Sequence, residues 1–198
     1  LRRLSGAMLV LFLMIVLSTV LHTTPLFVIA FLKWLIPIAG WRRACASTLV
    51  RLAESWIAFN SWLIEHATPT RFRVSGIEAL RRDGHYLVLA NHRSWVDIVA
   101  MQRAFNRRIP FLRFFLKREL IWVPLLGVAW WALDFPFMRR ASRKELAKDP
   151  SLAAADMEAT RRACEKFRGI PVSIMNFVEG TRFTAEKHKR QGGAYRHL

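Results

Sequence analysis

Residues 91–97 read Asn-His-Arg-Ser-Trp-Val-Asp, and residues 177–182 read Phe-Val-Glu-Gly-Thr-Arg. Histidine acts as a general base near neutral pH. A carboxylate at its other ring nitrogen fixes the tautomer and stabilises the cation. His92 and Asp97 stand five positions apart, which lets a loop histidine meet an aspartate in the first turn of a following helix. Ser94 is placed to cap that helix and orient the loop. In the second block Arg182 is a permanently charged fork suited to phosphate. Thr181 and the backbone around Gly180 offer further donors. Glu179 is acidic and is expected to orient the arginine or contact a hydroxyl. Read singly, the first block is also an ordinary polar cap and the second an ordinary turn with a surface ion pair.

No serine or cysteine stands in a nucleophile elbow. A His-Asp pair without such a residue points to attack by a substrate hydroxyl, with the protein supplying the base. No cluster of His, Cys, Asp and Glu has metal-ligand spacing, and no Gly-rich phosphate loop or dinucleotide fingerprint occurs, so neither a metal nor a bound cofactor is expected. Between the two blocks, Asp134-Phe-Pro-Phe-Met-Arg-Arg140 is a short apolar run ending in Arg139 and Arg140. It reads as a basic surface corner or as a second anion contact.

Both blocks follow apolar runs, Tyr86 to Ala90 and Val172 to Val178, so each sits where a buried strand ends. That is where α/β folds carry their ligands. From residue 71 onward strands are expected near 71–75, 86–90, 109–115, 135–138 and 171–178. Helices are expected near 95–105, 117–132 and 151–168. This alternation implies an α/β domain, a largely parallel or mixed sheet flanked by helices. The organisation expected is an N-terminal membrane segment over 1–40, a linking amphipathic helix over 41–70 and the α/β domain over 71–198. The chain starts without Met and stops in mid-pattern, so a C-terminal truncation is expected.

Within the first segment, Gly6 to Leu21 and Leu26 to Ile36 are apolar runs separated by His22-Thr-Thr-Pro25. They read either as one span from Leu4 to about Leu21 or as a hairpin dipping into one leaflet and broken at Pro25. Basic residues on both sides favour the hairpin. A signal peptide is the third option, but the apolar core is long and lacks a convincing cleavage site. Residues 42–66 show Trp56, Phe59, Trp62 and Leu63 at helical spacing, an expected packing or interfacial face.

The chain of 198 residues carries a formal charge of +17 and is 53% hydrophobic. An anionic partner is therefore expected. The cations bracket apolar runs, which suits a membrane surface better than nucleic acid, since no nucleic-acid module is recognisable. Cys45 and Cys164 lie far apart and read as free thiols in a reducing compartment.

Together these blocks resemble the glycerolipid acyltransferases of the 1-acyl-glycerol-3-phosphate type. That family has a first motif N-H-x-x-x-x-D, a second resembling G-x-x-F-I-x-R, and a third, E-G-T-R, in the same order. The second is matched in part, through Phe137, Met138 and Arg140, with Asp134 where glycine is common. The stretch Lys117-Arg-Glu-Leu-Ile-Trp-Val-Pro-Leu-Leu-Gly127 looks most like the lysophospholipid acyltransferase branch. The resemblance implies His92 as base and Asp97 as its partner. It implies Glu179, Gly180, Thr181 and Arg182 on the acceptor phosphate, with Arg140 and Arg139 as a second contact. Acyl-CoA or acyl-carrier protein would be the co-substrate and membrane lipids the surroundings. The apolar run Leu120 to Leu133 is a candidate acyl channel. The resemblance also implies a membrane protein, in a bacterium at the inner membrane, with its catalytic domain on the cytoplasmic side. The alternatives are a membrane-attached nucleic-acid-binding protein and a scaffold that keeps the fold.

Overall fold

The computed structural model describes residues 6–138, 147–178 and 182–186. The chain packs as two compact units, one from Leu1–Arg73 and Phe115–Ile170, the other from Val74–Phe114 and Pro171–Leu198.

In the first unit, helix α1 spans Gly6–Leu35 and α2 spans Ala39–Ala67. The helix α1 does not break at Pro25, where the hairpin alternative expects its bend. Proline inside a helix removes one backbone donor. Here threonine hydroxyls occupy nearby carbonyls: Thr23 donates to the Thr19 oxygen at 2.8 Å and Thr24 to the Val20 oxygen at 2.8 Å. The chain instead turns at residues 36–38, around Pro37. The last carbonyls of α1 need partners, and the start of α2 supplies them. Trp41 Nε1 donates to the Leu32 oxygen at 3.1 Å and Arg42 Nε to the Lys33 oxygen at 3.3 Å.

Cys45, Leu49, Ala53 and Ile57 form the buried stripe of α2, with Leu26 and Ala30 buried on α1. Trp56 donates across the pair to Thr19 Oγ1 at 3.1 Å. Of the expected packing or interfacial face, Leu63 is buried while Phe59 and Trp62 point outward. The four-residue repeat of small and aliphatic side chains allows closer helix approach than the aromatic stripe would. At 1.5 Å per residue α1 is about 45 Å long, more than the ~30 Å hydrocarbon layer of a bilayer. It is the one described helix long and apolar enough to cross a membrane.

The expected helix over 117–132 is broken. Strand β3 (Leu116–Lys117) leads into a 3-10 turn at Arg118–Trp122, and α4 covers only Leu126–Ala132. Pro124 forces the interruption, because it cannot donate into a continuous helix. β3 pairs in parallel with β4 (Phe137–Met138). Helix α5 spans Ser151–Glu165. Asp149 Oδ1 accepts from the Ser151 amide at 3.0 Å and its hydroxyl at 2.6 Å, so Asp149 tethers the helix start.

The second unit holds a three-stranded sheet of order β1-β5-β2: β1 is His85–Ala90, β2 Leu112–Phe114 and β5 Val172–Phe177. Helix α3, Val96–Phe105, lies between β1 and β2 in sequence. Among the described residues every strand pairing is parallel, so the sheet takes the parallel side of the expectation. The register runs from His85 opposite Val172 to Ala90 opposite Phe177. Ser173, Ile174 and Met175 are buried in succession. Consecutive burial marks a central strand covered on both faces, as its apolar run predicts. The strand expected at 71–75 is irregular chain. Its apolar-polar alternation finds no partner strand among the described residues, and an unpaired strand leaves its backbone groups to water.

Candidate active site

β1 and β5 are neighbours in parallel, so Ala90 and Phe177 end at the same sheet edge. The backbone continues the pairing one step further: the Val178 amide donates to the Ala90 oxygen at 3.2 Å. Two motifs some eighty residues apart in sequence thus leave the sheet side by side.

The loop after β1 folds around one carboxylate oxygen. Asp97 Oδ2 accepts from the Arg93 amide at 2.6 Å, the Ser94 amide at 2.7 Å and His92 Nδ1 at 3.0 Å. A carboxylate ringed by donors can only accept, so the proton of the imidazole resides on Nδ1 and leaves Nε2 as the lone-pair nitrogen. The Ser94 amide is the main cause of a lowered Asp97 pKa, opposed by burial and reinforced by His92 and the Arg93 amide. Asp97 is thereby held as the anion. Ser94 contributes twice, since its Oγ also accepts from the Val96 amide at 3.2 Å at the start of α3.

His92 is fixed on its other sides too. Its ring stacks on Phe177 with centroids 4.0 Å apart and planes 16° apart. Its carbonyl oxygen accepts from the Phe183 amide at 2.7 Å. The side chain keeps 12% of its surface exposed, and no described residue bonds Nε2. The result is an imidazole with Nδ1 engaged, its ring plane fixed, and Nε2 unbonded among the described residues.

Arg182 sits beside this loop. Its guanidinium lies 5.0 Å from the Trp95 ring centroid, and that of Arg93 lies 5.9 Å from the Phe183 ring. These are cation–π distances. They join residues of the first motif to residues of the third, on top of the backbone bond from Phe183 to His92.

The structure therefore brings together His92, Asp97 and Arg182 of the residues singled out in the sequence. Glu179, Gly180, Thr181, Arg139 and Arg140 lie outside the described residues. Asp134, where the second motif departs from glycine, has φ of +60°. It bonds Lys33 Nζ at 3.0 Å. Glycine adopts that backbone region without penalty, whereas Asp134 adds an ion pair there. Phe177 was quoted in its sequence block without a role, and Phe183 was not named. Phe177 stands two residues before Glu179 and Phe183 directly after Arg182, and that bracketing by aromatic residues was the available signal. Among the described residues no group of three or more His, Cys, Asp or Glu could hold a metal.

Comparison with known proteins gives a consistent answer. The acyltransferase family model matches residues 71–197. An uncharacterised acyltransferase of Schizosaccharomyces pombe is 30% identical over 112 residues, 57% of this chain and 36% of that protein. The 1-acyl-sn-glycerol-3-phosphate acyltransferase 3 of Arabidopsis thaliana is 31% identical over 109 residues, 52% of this chain and 26% of that protein. The chain thus spans about a third or less of the length of these relatives. The crystal structure of the 1-acyl-sn-glycerophosphate acyltransferase of Thermotoga maritima matches with a TM-score of 0.53 and 22% identity, over 86% of this chain and 61% of that one, and shows the shared fold. On its motifs and on the family match over residues 71–197, the chain belongs to the acyltransferase family.

Proposed function

We propose that this protein transfers a fatty acyl group from an acyl thioester to the free hydroxyl of a lysophospholipid, with 1-acyl-glycerol 3-phosphate as acceptor and phosphatidic acid as product. The observation that carries this is the His92–Asp97 pair with Nδ1 engaged at 3.0 Å and Nε2 open. The relatives that bear the name 1-acyl-sn-glycerol-3-phosphate acyltransferase supply the substrate class.

His92 Nε2 takes the hydroxyl proton as the acceptor oxygen bonds to the thioester carbonyl carbon. The carbon–sulfur bond then breaks. The imidazolium returns its proton to the departing thiolate, giving ester and free thiol. Asp97 stays ionised throughout, holding the tautomer and stabilising the transient cation. Arg182 binds the acceptor phosphate, with Glu179, Gly180 and Thr181 beside it, and Arg140 and Arg139 give a second phosphate contact. The donor is acyl-CoA or acyl-carrier protein. Helix α1 lies in the membrane, with the catalytic unit on the cytoplasmic face of a bacterial inner membrane, where acyl thioesters are made.

The test is acceptor-dependent thiol release in mixed micelles from oleoyl-CoA and lysophosphatidate. The His92→Ala variant is expected to lose about 10²–10⁴-fold in turnover, the usual contribution of a general base. Equal release by both proteins removes His92 as the base. No release by either, over a panel of acceptors and with acyl-carrier protein as donor, removes the acyl-transfer reading.

A further inference from the structure

The corner between the 3-10 turn and α4 carries Trp122, the most exposed large apolar side chain among the described residues. Trp122 is 85% exposed and Leu125 51%, with Leu126, Val128 and Trp131 exposed beside them. Contiguous apolar surface of this kind marks an interaction site. The backbone holds it in place at a cost. Leu125 has φ 63° and ψ −53°. The Leu126 amide donates to the Pro124 oxygen at 2.7 Å. That is the strained, φ-positive form of the γ-turn, rare for a residue with a side chain. A Cβ at Gly127 would overlap the Ile121 carbonyl oxygen, so the tight corner also requires glycine there. Backbone strain at such a residue persists where the surroundings impose it, commonly at a functional surface.

What this corner meets is indicated by its neighbours. It belongs to the same compact unit as α1. The C-terminal end of α4 is tied to the C-terminal end of α1, since Lys33 Nζ donates to the Ala132 oxygen at 3.3 Å and to Asp134 Oδ2 at 3.0 Å. That end of α1 carries the exposed Trp34, Leu35 and Ile38, with Trp41, Arg42 and Arg43 following at the start of α2. Tryptophan beside lysine and arginine at the end of an apolar helix is the composition of a membrane–water interface. The exposed Lys117 and Arg118 flank the corner on its other side. Cations rimming an apolar wedge complement an anionic lipid surface.

We infer that the 122–131 corner is a second membrane contact, inserting Trp122 and Leu125 at headgroup depth into an anionic bilayer beside the end of α1. This rests on the reading of α1 as a membrane helix and adds a shallow anchor that α1 does not provide. Its consequence is that the first unit is held to the bilayer at two points, one deep and one shallow.

The experiment uses the full chain with Cys45→Ala and Cys164→Ser. Single cysteines are introduced by Trp122→Cys, Leu125→Cys, Leu17→Cys and Ala154→Cys, and each is labelled with an environment-sensitive fluorophore. The proteins are reconstituted in vesicles of phosphatidylcholine and phosphatidylglycerol containing nitroxide lipids. Labels at 122 and 125 are expected to shift to the blue and to be quenched more by a nitroxide high on the acyl chain than by one at its end. The label at 17 is expected to show the reverse order, and that at 154, exposed on α5, a water-like spectrum. A water-like or lipid-unquenched signal at 122 and 125 with a quenched label at 17 overturns the inference alone; a blue-shifted but unquenched signal assigns the corner to a protein or acyl-chain partner instead. Absence of quenching at 17 overturns the membrane reading of α1, and the inference with it.

Discussion

Two clusters of charge in this protein have nearly the same bond lengths and opposite characters. On α5, Arg161 bonds Glu158 at 2.8 Å and Glu165 at 2.7 Å, and Arg162 bonds Glu158 at 2.8 Å. In the second unit, Asp97 binds two amides and a histidine at 2.6–3.0 Å. The arginines press the Glu158 carboxyl down to about 2. That shift has little consequence for stability, because long, exposed side chains hold the pair only loosely and water and salt screen it. The donors to Asp97 include two backbone amides of one short loop, which cannot rotate away while the loop is folded. Ion pairing on a helix face answers to sequence spacing alone, whereas the Asp97 arrangement needs a specific loop. Only the second kind of cluster fixes the orientation of an imidazole.

The contrast is broken most severely at Asp97. Asp97→Asn keeps the side-chain shape but no longer fixes the Nδ1 proton or stabilises the imidazolium. Turnover is expected to fall by roughly 10²–10⁴-fold with the fold retained, measured as thiol release beside circular dichroism. The same variant sharpens the pH argument. The folded Asp97 pKa lies below its ordinary value. Its anionic contribution to stability is therefore complete above the ordinary carboxylate range near ~4 and is lost as pH falls through the lower, folded value. The melting temperatures of wild type and Asp97→Asn are expected to differ near neutrality and to converge in strong acid. A difference that grows toward low pH would reverse the sign assigned here.

Next in size is Arg182→Ala. Removing charge-assisted bonds to phosphate is expected to raise the acceptor KM by roughly 10- to 100-fold, with a much smaller change for the thioester. Equal effects on both substrates would detach Arg182 from the acceptor. Phe177→Leu preserves apolar bulk but removes the flat face beneath His92. It is expected to lower kcat by roughly 3- to 10-fold with the acceptor KM unchanged, since aromatic pairs contribute about 0.5–1.5 kcal/mol. At the small end, Arg161→Ala on α5 is expected to leave the melting temperature and turnover nearly unchanged. A large effect there, in thermal melts or rates, would erase the distinction between the two clusters.

How far these features could be read from residues alone follows the same division. The strands at 85–90 and 172–177 announced themselves as apolar runs closed by polar motifs, and the His-Asp spacing foretold a loop meeting a helix start. Helix α5 was legible because its end signals are local, Pro150-Ser151 at its start and Gly169-Ile170-Pro171 beyond its end. The break near Pro124 was not, since the surrounding leucines and tryptophans form a helical apolar run and the interruption lies in one turn. The segment 71–75 alternates like a strand but has no neighbouring strand among the described residues, and partnership is a property no local pattern encodes. Phe177 and Phe183 were hidden for a related reason. Their roles come from strand adjacency, which sets them beside His92 only once β1 and β5 are paired.

The order of the sheet also bears on how the molecule comes into being. β5 lies between β1 and β2, which do not pair with each other. It is also the last of the three to leave the ribosome. At roughly 5–20 residues per second, β1 and β2 wait on the order of several seconds before the strand that joins them is made. Through that interval two apolar segments of the nascent chain have no native partner. The His92–Asp97 bond is local to the loop after β1, but the ring under His92 is Phe177 of β5, so the last strand of this sheet to be synthesised is the one that fixes the imidazole plane.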